Sequence, residues 1–134
     1  MMYIALLVGT VVSFFLGYLW YGPFFGTLWN TGMGFSTEDI ETRKTKNIQK
    51  IVTLNIVSQI ITAAVAYNLL NLLGITTIIG AFEIMFLVWL GFSLPISLEP
   101  VLWDHKPWNI FFINVSYRIV SYLCIAIAII TIAH

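Results

Sequence analysis

Apolar residues run almost unbroken through residues 3–21, 51–73, 76–98 and 108–132, and polar residues gather between these runs. Each run has the roughly 20 residues that a helix needs to cross a bilayer. A backbone surrounded by lipid must satisfy its own hydrogen bonds, so the pattern predicts four transmembrane helices. Turn residues separate them. Gly22-Pro23 is expected to end the first helix, Asn71–Gly74 the second and Glu99-Pro100 the third. Pro95 should bend the third helix, with Ser93 or Ser97 available for the carbonyls it frees. Before the second run, Ser36 and Asp39 have the spacing of a helix cap. Glu38, Asp39 and Glu41 then precede Arg43, Lys44, Lys46 and Lys50. That order complements a helix dipole and allows an Asp39–Arg43 pair, so one helix is expected from about Thr37 into the second span.

Polar positions within the runs carry the next layer of information. Gly9, Ser13 and Gly17 recur every fourth residue, giving the first helix a smooth face for bundle packing or for a homo-oligomer seam. Asn55, Ser58, Gln59, Thr62 and Ala66 share one face of the second, as interhelical contacts or as a polar pathway. Glu83 and Arg118 are ionisable residues well inside apolar runs. A charge at that depth costs at least ~2.5–3.5 kcal/mol unless it is answered, so the fold is expected to bring the two together. Helical rise places Glu83 ~10 Å below one end of its span and Arg118 ~15 Å from the other end of its own. Gln59 falls at similar depth, and Asn114 shares the Arg118 face. Glu83, Arg118, Gln59, Asn114 and Asn55 are therefore expected to form one intramembrane polar cluster, either a structural clamp or a proton or ion site.

Composition sharpens the class. Residues are 60% hydrophobic and 9% charged, where soluble domains carry about 25% charge. The expectation is a single all-α domain over residues 1–134, an integral membrane four-helix bundle. A net charge of zero gives no electrostatic case for nucleic acid. Met1-Met2-Tyr3 supplies no basic leader, so the first run reads as a retained helix. Basic residues lie between the first and second runs and, as Lys106, between the third and fourth. The positive-inside rule then puts both termini on the non-cytoplasmic side and a helical extension before the second span in the cytoplasm. Trp20, Tyr21, Trp29, Trp103 and Trp108 fall on the basic side, where aromatic rings anchor at headgroups. His105 and His134 give no metal pair, and no nucleophile–base set or glycine-rich phosphate loop occurs. No enzyme, metal or cofactor is expected, and Asp104-His105 reads as a surface turn. The lone Cys124 permits no internal disulfide.

The segment Leu16-Gly17-Tyr18-Leu19-Trp20-Tyr21-Gly22-Pro23-Phe24-Phe25-Gly26-Thr27-Leu28-Trp29 resembles the Trp-Tyr-x-Pro…Phe-Gly…Trp signature of a small bacterial and archaeal membrane family, domain of unknown function 1761. Gly34–Ile40, Trp89-Leu90-Gly91-Phe92 and Asn114-Val115-Ser116-Tyr117-Arg118 match that family in order and spacing. The resemblance implies four helices in a prokaryotic cell membrane and no established activity. The family commonly has a basic residue near Thr27 and a histidine where Arg118 stands, and Glu83 is not part of its pattern. A permanent cation at 118 weakens a proton relay carried over from the family. The expected function is a structural or accessory bundle that self-associates or docks on other membrane proteins. A small transporter or channel is the alternative, and a lipid or lipophilic-ligand binder a third.

Overall fold

A computed structural model describes residues 1–45 and 48–133, with the side chains at 43–45 outside the description. Every regular element among the described residues is helical. The first span is α1 (Met2–Leu19) continued by a π turn, Trp20–Phe24. Two short helices follow, α2 (Gly26–Met33) and α3 (Thr37–Thr45), and α4 (Ile48–Leu72) is the second span. The third comprises α5 (Ile78–Val88), a π turn at Trp89–Ser93 and α6 (Leu94–Trp103). The fourth is α7 (Trp108–Ala128) with a closing π turn, Ile129–Ala133. Met2–Phe24, Ile48–Leu72, Ile78–Trp103 and Trp108–Ala133 are each long and apolar enough to cross a membrane. The chain is a multi-pass helical membrane protein.

Two helix ends differ from the sequence expectation, both at prolines. Pro23 lies inside the first span, because the helix widens there and the Phe25 N–H donates to the Trp20 carbonyl at 2.9 Å. A five-residue turn carries the chain past a residue with no N–H to give. The break falls instead at Phe25, with φ −124° and ψ 11°, and α2 leaves from Gly26. Pro100 likewise lies within α6, which continues to Trp103. The Pro100 carbonyl accepts from the N–H groups of Asp104 and Lys106, and left-handed His105 then turns the chain. Pro95 sits in the first turn of α6, where a missing donor is tolerated, and Ser97 Oγ donates to the Ser93 carbonyl at 2.7 Å.

The caps follow the sequence closely. Ser36 and Asp39 exchange hydrogen bonds, the Ser36 N–H to Asp39 Oδ2 at 3.0 Å and the Asp39 N–H to Ser36 Oγ at 3.1 Å. These bonds hold the exposed Asp39 carboxyl below its usual pKa. Left-handed Gly34 closes α2 and left-handed Gly74 closes α4. Lys106 Nζ donates to the Met33 carbonyl at 3.1 Å, placing a cation on the C-terminal end of α2. The expected Asp39–Arg43 pair, the Lys44 and Lys46 side chains and His134 lie outside the described residues.

α1 and α7 form the centre, with α4 flanking α1 and α5–α6 flanking α7. The Gly9–Ser13–Gly17 face is used within the chain. A Cβ at Gly9 would stand 3.5 Å from Ile125, one at Gly17 would stand 3.3 Å from the Tyr117 hydroxyl, and Ser121 Oγ donates to Ser13 Oγ at 2.9 Å. At the end where α4 turns into α5, Ala63, Ala66, Leu70, Met85, Ile125 and Ile129 pack into a closed apolar core. At the other end α4 leaves α7, and a cavity opens.

Candidate functional site

Tyr117 organises this region. It is 4% exposed, and its hydroxyl donates to the Ser13 carbonyl at 2.9 Å while accepting from Gln59 Nε2 at 3.2 Å. The Ser13 carbonyl can only accept, so the tyrosine proton is committed to it. Gln59 must therefore present its amide nitrogen to Tyr117, which turns Gln59 Oε1 the other way. Gln59 is 3% exposed, and its Oε1 has no hydrogen-bond partner. A buried acceptor left unmade costs ~1–3 kcal/mol.

Gln59 and Tyr117 lie at the inner end of a cavity of about 510 Å3, walled also by Tyr21, Trp29, Asn55 and Arg118. Ten residues, or ~15 Å of helix, separate Arg118 from Trp108. A 26-residue span overshoots a ~30 Å hydrocarbon layer by a few Å at each end, leaving Arg118 ~10 Å inside it. The side chain is half-buried, with its guanidinium carbon 5.4 Å from the centre of the Tyr117 ring. Among the described residues no carboxylate pairs with it.

The expected Glu83–Arg118 pair is not formed. Ala81 and Met85 turn one face of α5 into the core. Glu83 stands two residues from each, about 200° around the helix, and is exposed. It is also shallow, since five residues from Ile78 place it ~3 Å inside the hydrocarbon, where a carboxylate reaches headgroups. Azimuth and depth both separate the two residues, since Arg118 lies ~10 Å inside the opposite face of the layer.

The other members of the expected cluster divide. Asn55 and Gln59 join Arg118 in the cavity, whereas Asn114 accepts from the Tyr21 hydroxyl in the wall behind it. Thr62 Oγ1 turns back to the Ser58 carbonyl. The aromatic anchors divide too. Trp103 and Trp108 are exposed, at 80% and 54%. Trp20 instead donates through Nε1 to Ser116 Oγ at 2.9 Å, and Tyr21 packs edge-on against both Trp29 and Tyr117. Ser121 shares the face that the sequence assigns to Asn114 and Arg118, whereas Tyr117 and Phe14 are not among the cluster residues the sequence points to. A signal existed in the 114–117–121 spacing, which sets three polar side chains on one face of α7.

Among the described residues, no group of three metal-ligating side chains is present. The arrangement is a cation on the wall of an aromatic-walled cavity, beyond which the bundle is closed by its apolar core. Neither a curated protein nor a solved structure matches the chain. A family model does, over residues 4–130, and the chain belongs to the family described as protein of unknown function DUF1761.

Proposed function

We propose that this protein is a non-catalytic membrane bundle whose role is to bind a lipophilic ligand in the Arg118 cavity. The observation that carries this reading is the Arg118 guanidinium, which no carboxylate answers among the described residues, on the wall of a cavity that ends against packed apolar side chains. A cation at that depth needs a partner, and a ligand with an anionic group supplies one. The blocked end argues for holding a molecule rather than conducting one, so the binder stands above the transporter. Support for a clamp falls with the Glu83–Arg118 pair. Support for a homo-oligomer seam falls because α7 of the same chain covers the Gly9–Ser13–Gly17 face. By the positive-inside rule the cavity opens toward the cytoplasmic side of a prokaryotic cell membrane, with α3 as a cytoplasmic extension and both termini opposite.

The test is native mass spectrometry of the protein released gently from its membrane, paired with flux assays in proteoliposomes. A small molecule retained at one per chain, with no ion or solute flux, is the expected result. Flux without retention would replace this reading with the transporter. Docking on another membrane protein is a second reading, favoured by the exposed Glu83 on α5 between exposed Ile79 and Leu87. It predicts a co-migrating polypeptide at fixed stoichiometry that Glu83→Gln releases.

A further inference from the structure

Helical rise grades the lining of the Arg118 cavity by depth. Phe14 and Gln59 stand ~13 Å inside the hydrocarbon layer and Arg118 ~10 Å, whereas Ile51 and Val52 stand only ~1–2 Å inside it. Ile48, Ile51, Val52 and Asn55 recur at spacings of three and four, so one stripe of α4 passes from aliphatic at the mouth to polar within. Tyr21 and Trp29, packed edge-on, complete the mouth. A membrane lipid keeps its charge at the surface and its chains within. This cavity has the opposite order, with apolar side chains at the surface and the cation inside.

Resting on the reading of this cavity as a binding site, we propose that its occupant is a medium-chain monocarboxylic acid. It is bound as the carboxylate on Arg118, with its apolar chain running back to the mouth. Three features select this chemistry. Arg118 is the charged side chain on the cavity wall and donates only, so it calls for an anion. One guanidinium answers one charge, and a dianionic phosphate monoester would leave its second charge unanswered at that depth. Phe14 and Gln59 close the space just beyond Arg118, so the anionic group must be the end of the molecule. A carboxylate is terminal, singly charged and matched to the guanidinium fork. A phospholipid phosphate has a substituent on either side, and its chains point inward from the surface. The third feature is the aliphatic stripe, which extends the wall ~16 Å along α4 from Gln59 to Ile48 and gives a hydrocarbon chain its contacts. A short carboxylate would leave that stripe uncovered.

The experiment measures radiolabelled dodecanoate bound to the protein in phosphatidylcholine nanodiscs, above the binding to empty discs. Dodecanol, acetate and phosphatidylglycerol serve as competitors. The wild type is expected to bind one dodecanoate per chain, at least about tenfold tighter than dodecanol, as one charge-assisted hydrogen bond implies. Acetate and phosphatidylglycerol should not displace it. Arg118→Gln should bring dodecanoate down to the affinity of dodecanol, and Arg118→Lys should keep part of the difference. Val52→Trp, which narrows the mouth and leaves the cation in place, should weaken dodecanoate and dodecanol alike. The wild-type competition needs no variant to fold. Equal binding of dodecanoate and dodecanol would overturn the carboxylate assignment while leaving a lipophilic cavity. Displacement by acetate at equal concentration would overturn the role of the apolar mouth, and displacement by phosphatidylglycerol would overturn the requirement for a terminal acid. No binding above empty discs would overturn the inference. The binding role falls with it only if the protein released from its own membrane also retains no molecule.

Discussion

Replacing Tyr117 by Phe removes one oxygen from the most connected polar group in the bundle. Two hydrogen bonds go with it, to the Ser13 carbonyl at 2.9 Å and from Gln59 Nε2 at 3.2 Å. The Ser13 carbonyl keeps its place in the helix ladder, so its loss is small. The Gln59 amide fares worse, because its Oε1 already lacks a partner and its nitrogen would join it, buried at 3% exposure. Hydrogen bonds in membrane bundles average ~0.6 kcal/mol and reach ~1.7, whereas an orphaned buried group costs ~1–3. Tyr117→Phe should therefore destabilise by about 1–3 kcal/mol. Gln59→Leu removes one bond and the orphaned acceptor together, so it should cost less, under about 1 kcal/mol. The double variant should be more stable than the sum of the single effects, with a coupling of about 1 kcal/mol, because no unpaired amide remains. Reversible unfolding in mixed detergent micelles measures all three. Additivity within about 0.3 kcal/mol would refute the reasoning, since it would mean that the two side chains do not share a bond.

Four further outcomes follow from the same geometry. Glu83→Gln and Arg118→Gln should show no coupling in the same unfolding assay, whereas a compensating double variant would mean that the two meet after all. Gly26→Ala should destabilise by about 1–3 kcal/mol, because its Cβ would lie 2.8 Å from the Tyr21 carbonyl oxygen. Gly9→Ala, meeting Ile125 at an ordinary 3.5 Å, should be tolerated, and equal effects at the two glycines would contradict the packing described. Acidification should fray the start of α3: bonds to Ser36 lower the Asp39 pKa, so the stability they lend is present above the usual carboxylate value and lost as pH falls through the lowered one. The Ser36 amide, which donates to Asp39 Oδ2, should lose protection relative to its intrinsic exchange rate over that window in the wild type, and Asp39→Ala should lack that protection throughout.

Four spans, the glycine-closed end of α4 and the Ser36–Asp39 cap were legible because each is a local matter of run length or spacing. The smooth face of α1 was legible in the same way, although nothing local says whether it meets another helix of the chain or another copy. Helical rise gives height but not azimuth, and the Glu83–Arg118 pairing fails on both, because the two lie nearer opposite faces of the layer and Glu83 turns out of the core. The Ala81–Met85 spacing that turns Glu83 outward becomes readable only once α7 is known to lie against those residues. Trp20 and Tyr21 looked like headgroup anchors because rings with a polar tip suit interfaces. The same tip suits a buried donor, and Ser116 and Asn114, nearly a hundred residues away in sequence, decide between the two. Pro23 and Pro100 misled because π turns and carbonyl sharing are chosen by packing rather than by the proline itself.

The central claim is a water-reachable cavity at Arg118 that ends inside the bundle. The direct measurement is thiol labelling of Asn55→Cys in a Cys124→Ala background, in phosphatidylcholine proteoliposomes, with a membrane-impermeant reagent added to either side. Asn55 lies on the cavity wall ~7 Å inside the hydrocarbon layer, too deep for labelling without the cavity. Reaction from the side of α2 and α3 only is the predicted result. Reaction from both sides, or from neither, would contradict it.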